Sequence, residues 1–275
     1  LVRFNGGREF SAPFFKVGEQ VSNLLTIEKV TKTFGGLVAV NEVSIAVKEN
    51  TFTMLIGPNG CGKTTLINCC TGILQPTAGK VFLGDKDITG WPTHKICEAG
   101  FVRSFQIPLP FLGLTVLDNV LGAMRNSGEA PFRASFKRLW VKEEEENMER
   151  AMAILRRVYL DKHWDKPSHA LGAAQLKLLE VAKGLAAGAK LIALDEPIGG
   201  VDPASADEIL SHVSELKQEG LSFLVVEHRI DIAAPFADYI YAMDLGRLIS
   251  QGTPQQVLND PKVIEVYLGK GVEAC

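Results

Sequence analysis

Hydrophobic positions along the chain switch between two periods. Leu24–Val30 and Val43–Val47 alternate apolar and polar residues, the pattern of half-buried strands. Thr51–Ile56 is a short β-rich run that stops at Gly57, and a glycine-rich loop then leads into a helical stretch from Lys63 to about Thr71. Val81–Gly84 and Phe101–Ser104 predict two more strands. From Ile107 to about Lys183 helical patterns dominate, at Thr115–Met124, Lys142–Tyr159 and Gln175–Ala187. Strand patterns return at Leu191–Leu194, Ser222–Val226 and Tyr239–Met243, separated by helical patterns at Ala204–Glu219 and Ile230–Ala237. Strands alternating with helices predict an α/β fold whose parallel sheet is covered on both faces. The interval 107–183 reads as a helical subdomain inserted into that core, and residues 1–23 as an extension with little structure of its own. No internal repeat is visible, and Glu143–Glu146 reads as a solvated helix face.

Composition narrows the class. With 275 residues, 46% of them hydrophobic, the chain can bury one large core, or a core with one inserted subdomain. A net charge of −3 argues against a nucleic-acid binder, which would show a basic face. No apolar run approaches the roughly 20 residues needed to cross a bilayer. The most apolar stretch, Gly184–Leu194, is short and carries Lys190. The first 23 residues have charged side chains throughout and do not read as a secretory signal. Cys61, Cys69, Cys70, Cys97 and Cys275 show no C-x-x-C spacing and read as reduced cytosolic thiols.

The chemistry concentrates at two places. Gly57-Pro58-Asn59-Gly60-Cys61-Gly62-Lys63-Thr64 matches G-x-x-x-x-G-K-[ST] at every fixed position. Backbone N–H groups must converge on phosphate oxygens there, and side chains would block the approach. Lys63 is expected to reach the β- and γ-phosphates of ATP from a solvent-facing loop, and Thr64 to ligate Mg²⁺. The helix that begins there, with Thr65 in its first turn, points its positive end at the same phosphates. The second place is Leu191-Ile192-Ala193-Leu194 running into Asp195-Glu196-Pro197. An apolar strand ending in two carboxylates sets them at the carboxyl edge of the sheet, where open α/β sheets bind ligands. Asp195 suits the Mg²⁺ shell, and Glu196 suits orientation or deprotonation of the attacking water.

Together these residues resemble the ATP-binding cassette family, over roughly Leu24 to Gly269. That resemblance implies a P-loop core with an N-terminal antiparallel β-subdomain and the inserted helical subdomain, in a domain spanning 24–269 with a short tail at 270–275. It assigns roles by position. Gln106, in Arg103-Ser104-Phe105-Gln106, matches the glutamine that senses Mg²⁺ and the transmembrane partner. His228, closing Phe223-Leu224-Val225-Val226-Glu227-His228, matches the switch histidine near the γ-phosphate. Phe34, in Thr31-Lys32-Thr33-Phe34-Gly35, falls where the family stacks an aromatic ring on adenine. Asp202, in Gly200-Val201-Asp202-Pro203, matches an aspartate that communicates across the cassette dimer. Phe34–Val40, Val102–Gln106, Val226–Arg229 and the tail Asn259–Gly269 look like the ATPases of branched-chain and hydrophobic amino-acid importers, although urea-importer and lipopolysaccharide-export ATPases share parts of the tail. The implied partners are a second ATPase subunit in a homo- or heterodimer, transmembrane permease subunits and, indirectly, a substrate-binding protein, with no nucleic acid. The implied location is peripheral, on the cytoplasmic face of the membrane.

One element departs from the family pattern. The signature Leu-Ser-x-Gly-Gln reads here as Leu171-Gly172-Ala173-Ala174-Gln175. Gly172 removes a hydroxyl that would bond the γ-phosphate across the dimer, and Ala174 replaces a glycine that permits close backbone approach. Helix N–H groups and the dipole remain. A rival reading is therefore a non-hydrolysing or weakly hydrolysing nucleotide-binding regulator, which intact Glu196 and His228 oppose. A DNA-repair or chromosome ATPase of the same superfamily would carry coiled-coil or zinc insertions, and neither is present.

Overall fold

A computed structural model describes residues 22–104, 110–124 and 137–268. Gln106, residues 1–21 of the N-terminal extension and the tail from 269 lie outside the described residues. Two sheets organise the molecule. The first is antiparallel, in the order β2-β1-β4-β5, with β1 Asn23–Phe34, β2 Leu37–Lys48, β4 Ala78–Leu83 and β5 Lys86–Asp87. The second has six strands in the order β10-β9-β3-β8-β7-β6. Its members are β3 Phe52–Ile56, β6 Phe101–Arg103, β7 Leu191–Asp195, β8 Ser222–Val226, β9 Tyr239–Asp244 and β10 Arg247–Gly252. The run from β9 to β6 is parallel, as the alternation of strands and helices predicts. The sheet is nonetheless mixed, because β10 pairs antiparallel with β9 at the edge. A tight turn at Leu245–Gly246 folds β10 straight back, so no crossover helix intervenes.

Period-2 alternation within the central strands splits the core into two layers. Phe52, Met54 and Ile56 of β3, Ile192 and Leu194 of β7, and Phe223 and Val225 of β8 face one cluster. Leu55, Leu191, Ala193, Leu224 and Val226 face the other. Every residue of β3, β7 and β8 is buried, so these strands read as near-continuous apolar runs, with Thr53, Asp195 and Ser222 their polar members. Each fully buried large side chain contributes roughly 1.5–3 kcal/mol, so the sheet is a rigid platform for whatever projects from its end.

The helices divide between the layers. Helix α1 (Lys63–Cys70) buries Leu66, Ile67, Cys69 and Cys70 under the antiparallel sheet. Helix α2 (Thr93–Glu98) buries Ile96 in the same cluster. Helices α3 (Val116–Leu121), α4 (Lys137–Arg157), α5 (Ala173–Ala186) and α6 (Pro203–Gln218) contribute to the other cluster. Glu144–Glu146 of α4 are exposed, as a solvated face requires. The short α7 (Ile230–Ala233), α8 (Pro254–Leu258) and α9 (Pro261–Leu268) complete the chain. The Tyr241 hydroxyl of β9 donates to the Ala46 carbonyl and accepts from its amide, both at 3.0 Å, which ties the two sheets together.

Candidate functional site

Because β3, β8 and β7 are parallel neighbours, their carboxyl ends share one edge of the sheet. Gly57 follows β3, Glu196 follows β7 and Glu227-His228 follows β8. Topology alone therefore gathers the phosphate loop, the paired carboxylates and the histidine.

The loop needs its glycines for space as well as for phosphate access. Gly57 has φ 152°, and a Cβ there would lie 2.3 Å from the Met243 carbonyl oxygen and 2.7 Å from Cys61 Sγ. Gly62 has φ 105°, and a Cβ there would lie 2.3 Å from the Ala39 carbonyl oxygen. Gly62 is also the N-cap of α1, and no side chain caps that helix, so its first turn is open to an anion. The loop is braced from outside, since the Gly246 amide donates to the Cys61 carbonyl and the Asn41 amide to the Gly246 carbonyl.

Lys63 departs from the solvent-facing expectation. It is buried, and Nζ donates to the carbonyls of Gly57 at 2.7 Å and Pro58 at 3.0 Å. The ammonium stays inside the loop's own curve because those carbonyls satisfy it locally. Thr64 is exposed and Thr65 half-buried. The Cys61 side chain points into the protein and packs in the core cluster beneath the antiparallel sheet. Its contribution to a phosphate site is thus confined to its backbone. Phe34 stands exposed at the end of β1, with Lys32 Nζ 5.1 Å from its ring centroid.

At the second strand end, Asp195 is buried and accepts from Arg103 Nη2 at 2.7 Å. Its Nη1 donates to the Asn68 side-chain oxygen on α1. Arg103 thereby links the strand before Gln106, the strand-end carboxylate and the helix behind the phosphate loop. Glu196 adopts φ 50°, a left-handed conformation uncommon for residues with a side chain. Its amide donates to the Val226 carbonyl at 2.9 Å, and its Oε1 lies 3.8 Å from His228 Nδ1. Of the three residues expected to act in catalysis, Glu196 and His228 therefore lie side by side, and Gln106 falls outside the described residues.

Glu227, which carried no role in the sequence reading, joins the two loops. Its fully buried carboxylate accepts from the Ile198 amide at 3.0 Å and from the His228 amide at 3.1 Å. Burial pushes its pKa above the ordinary value, and the backbone donors partly oppose the shift. An apolar strand ending in Glu-His was its only local trace.

The remaining candidates sit apart from this cluster. Asp202 is the N-cap of α6, and its carboxylate accepts from the amides of Ala204 and Ser205 and the Ser205 hydroxyl. Those bonds, the Ser205 side chain's first, hold its pKa below the ordinary value. Gly172 and Ala173 are exposed at the start of α5. Gln175 turns back on its own helix, accepting from the Gly172 amide at 3.0 Å while Nε2 lies 3.2 Å from His163 Nε2. Among the described residues, no hydrogen bond joins Gly172–Gln175 to the phosphate loop.

Residues 40–199 match the family model of ABC transporters, and residues 247–273 match that of the branched-chain amino acid ATP-binding cassette transporter. The chain is 47% identical to a protein of Archaeoglobus fulgidus described as a probable branched-chain amino acid transport ATP-binding protein LivG, over 90% of this chain and 95% of the relative. It is 34% identical to the high-affinity branched-chain amino acid transport ATP-binding protein BraF of Pseudomonas aeruginosa, over 90% and 98%. A solved ADP conformation of an ATP-binding cassette superposes with a TM-score of 0.80 at 41% identity, over 90% of this chain and 99% of that one.

Proposed function

The chain belongs to the ABC transporter family and is one of its ATPases, and on that premise we propose that it powers uptake of branched-chain or other hydrophobic amino acids. The observation that carries the reading is the shared sheet edge, where a phosphate loop, two strand-end carboxylates and a histidine converge. Nothing in the comparisons favours a non-hydrolysing regulator.

Lys63 and the backbone N–H groups of the loop from Asn59 to Thr65 hold the nucleotide phosphates, and Phe34 stacks on the base. Among the described residues, no three His, Cys, Asp or Glu side chains form a metal cage. Thr64, Asp195 and Gln106 would hold Mg²⁺ beside the nucleotide phosphates. The metal neutralises phosphate charge when bound. Glu196 accepts a proton from, or orients, the attacking water, and His228 lies beside it facing the γ-phosphate. Asp202 and Gly172–Gln175 serve across a cassette dimer whose closure pulls on permease subunits. The helical subdomain at 107–183 is their docking lobe. No helix among the described residues is long and apolar enough to cross a membrane. A peripheral place at the cytoplasmic face belongs to the same proposal.

Two variants test this reading. Lys63→Ala is expected to abolish ATP binding while the protein still folds. Glu196→Gln is expected to retain binding and slow hydrolysis by roughly 10²-fold or more. Near-normal turnover in the second variant places the base elsewhere.

A further inference from the structure

Lys177 joins two parts of the chain that the family reading treats separately. It lies on α5, the helix whose first turn is the altered signature. Its Nζ donates to the backbone carbonyl of Glu196 at 3.3 Å. That carbonyl belongs to the residue held at φ 50°, and it also accepts from the Gly199 amide at 3.0 Å. The ammonium is half-buried, and the carboxylates of Glu227, Glu196, Asp195 and Glu180 act on it electrostatically. Burial lowers its proton affinity, while those four negative charges act to keep it protonated.

The arrangement has two physical consequences. A left-handed glutamate is strained and persists only where its surroundings over-determine it. A cationic donor on the carbonyl is one such determinant, and stronger than a neutral one. Second, carboxylates gather at the ends of β7 and β8, and Lys177 adds positive charge there beside Arg103, which already pairs with Asp195, so repulsion among them is reduced. The helix carrying this cation is 14 residues long and begins at the signature turn, so Lys177 ties that element to the Glu196 peptide.

We propose that Lys177 is a positioning residue for hydrolysis, which fixes the strained Glu196 peptide and couples it to the signature helix of the same chain. The proposal rests on the reading that Glu196 acts on the attacking water. In a dimer, the signature turn faces the partner's nucleotide while Glu196 serves this chain's own. Lys177 is thus the link by which occupancy of one site sets the geometry of the other.

The test compares Lys177→Met and Lys177→Arg in the full-length chain. The readouts are kcat and KM with radiolabelled ATP, affinity for a fluorescent ATP analogue, and the melting temperature. The Met variant is expected to keep wild-type nucleotide affinity and KM and to lose roughly 10- to 150-fold in kcat, the range for a lost bond from a charged donor. The Arg variant is expected to recover most of that loss. Should the Met variant melt below the assay temperature, Lys177→Gln carries the same test and the same expected loss. Wild-type kcat in the folded neutral variant, a loss confined to KM or affinity, or no recovery with Arg overturns the proposal. If Glu196→Gln hydrolyses normally in the same assays, the failure lies in the role of Glu196.

Discussion

Arg103 shows what a single residue contributes that local sequence does not display. It forms a nearly buried ion pair with Asp195 and reaches Asn68. Removing one partner of a buried pair strands the other charge, at a cost of about 3–5 kcal/mol. Arg103→Met is therefore expected to lower the melting temperature in a metal-free buffer. If Asp195 takes Mg²⁺ with bound ATP, the cation replaces the lost guanidinium, and saturating MgATP is expected to recover much of the deficit beyond the ordinary stabilisation by a ligand. Thermal melts of wild type and variant, with EDTA and with MgATP, check this. An equal deficit in both conditions means that Arg103 is structural only and that the metal lies elsewhere. The phosphate loop was legible because its chemistry is contiguous in the chain. Arg103 and Asp195 are 92 positions apart, so only the fold pairs them. The inward turns of Lys63 and Cys61 were also illegible, because they depend on loop carbonyls and core space rather than on residue type.

At the scale of elements, the short buried strands β3, β6, β7, β8 and β9 were predicted within a residue, whereas β1 runs four residues beyond, and β2 begins six residues before, the alternation that marked them, and the elements after Asp244 were not predicted. Ser222–Val226 coincides with β8, and Leu191–Leu194 falls one residue short of β7. Arg247–Gly252 went unpredicted as β10, because an edge strand with partly exposed residues has no strong alternation. The short helices α8 and α9 were missed as well, although Thr253 and Gln256 form a capping box at α8. What joins the catalytic elements is Glu227, whose carboxylate ties the loop after β7 to the loop after β8. Burial raises its folded pKa above the ordinary 4.5, so the folded protein binds its proton more tightly than the unfolded chain does. The sign follows from linkage. This contribution to stability is fully present below the unfolded value and is lost as pH rises through the higher folded value. Glu227→Gln removes the titration and leaves one acceptor for the backbone donors. Urea titrations across a pH series are expected to show the wild type losing stability relative to the variant as pH rises from 4.5. A wild-type-to-variant difference that does not change with pH rejects the raised carboxyl.

The whole molecule raises the question of two unequal ATP sites. In the proposed dimer, the site built on this chain's Lys63, Thr64, Asp195 and Glu196 borrows its signature from the partner. The other site borrows Gly172–Gln175, which lacks the serine hydroxyl. Losing a hydrogen bond to a charged phosphate costs roughly 1.5–3 kcal/mol, or about 10- to 150-fold in binding. The chain alone, pairing with itself, would then carry two weakened sites and is expected to hydrolyse ATP poorly. With a partner bearing an intact signature, one site recovers. The structure admits the repair. A Cβ on Gly172 meets only Gln175 Oε1, at 3.9 Å, and Gly172 has φ −72° and ψ 166°, an ordinary N-cap conformation for serine. Ala174→Gly costs up to about 1 kcal/mol of helix stability, because α5 gives up its best helix former in the first turn. The double variant Gly172→Ser, Ala174→Gly is therefore expected to melt slightly lower yet hydrolyse ATP faster as an isolated chain, by up to the same 10- to 150-fold range. In the complete heterodimer, Glu196→Gln in this chain is expected to damage transport more than the matching change in the partner. Steady-state ATPase assays of the isolated chain and transport assays of the complex measure the two effects. A repaired signature without gain, or greater damage from the partner's change, rejects this asymmetry and makes the Gly-Ala-Ala turn a harmless variant.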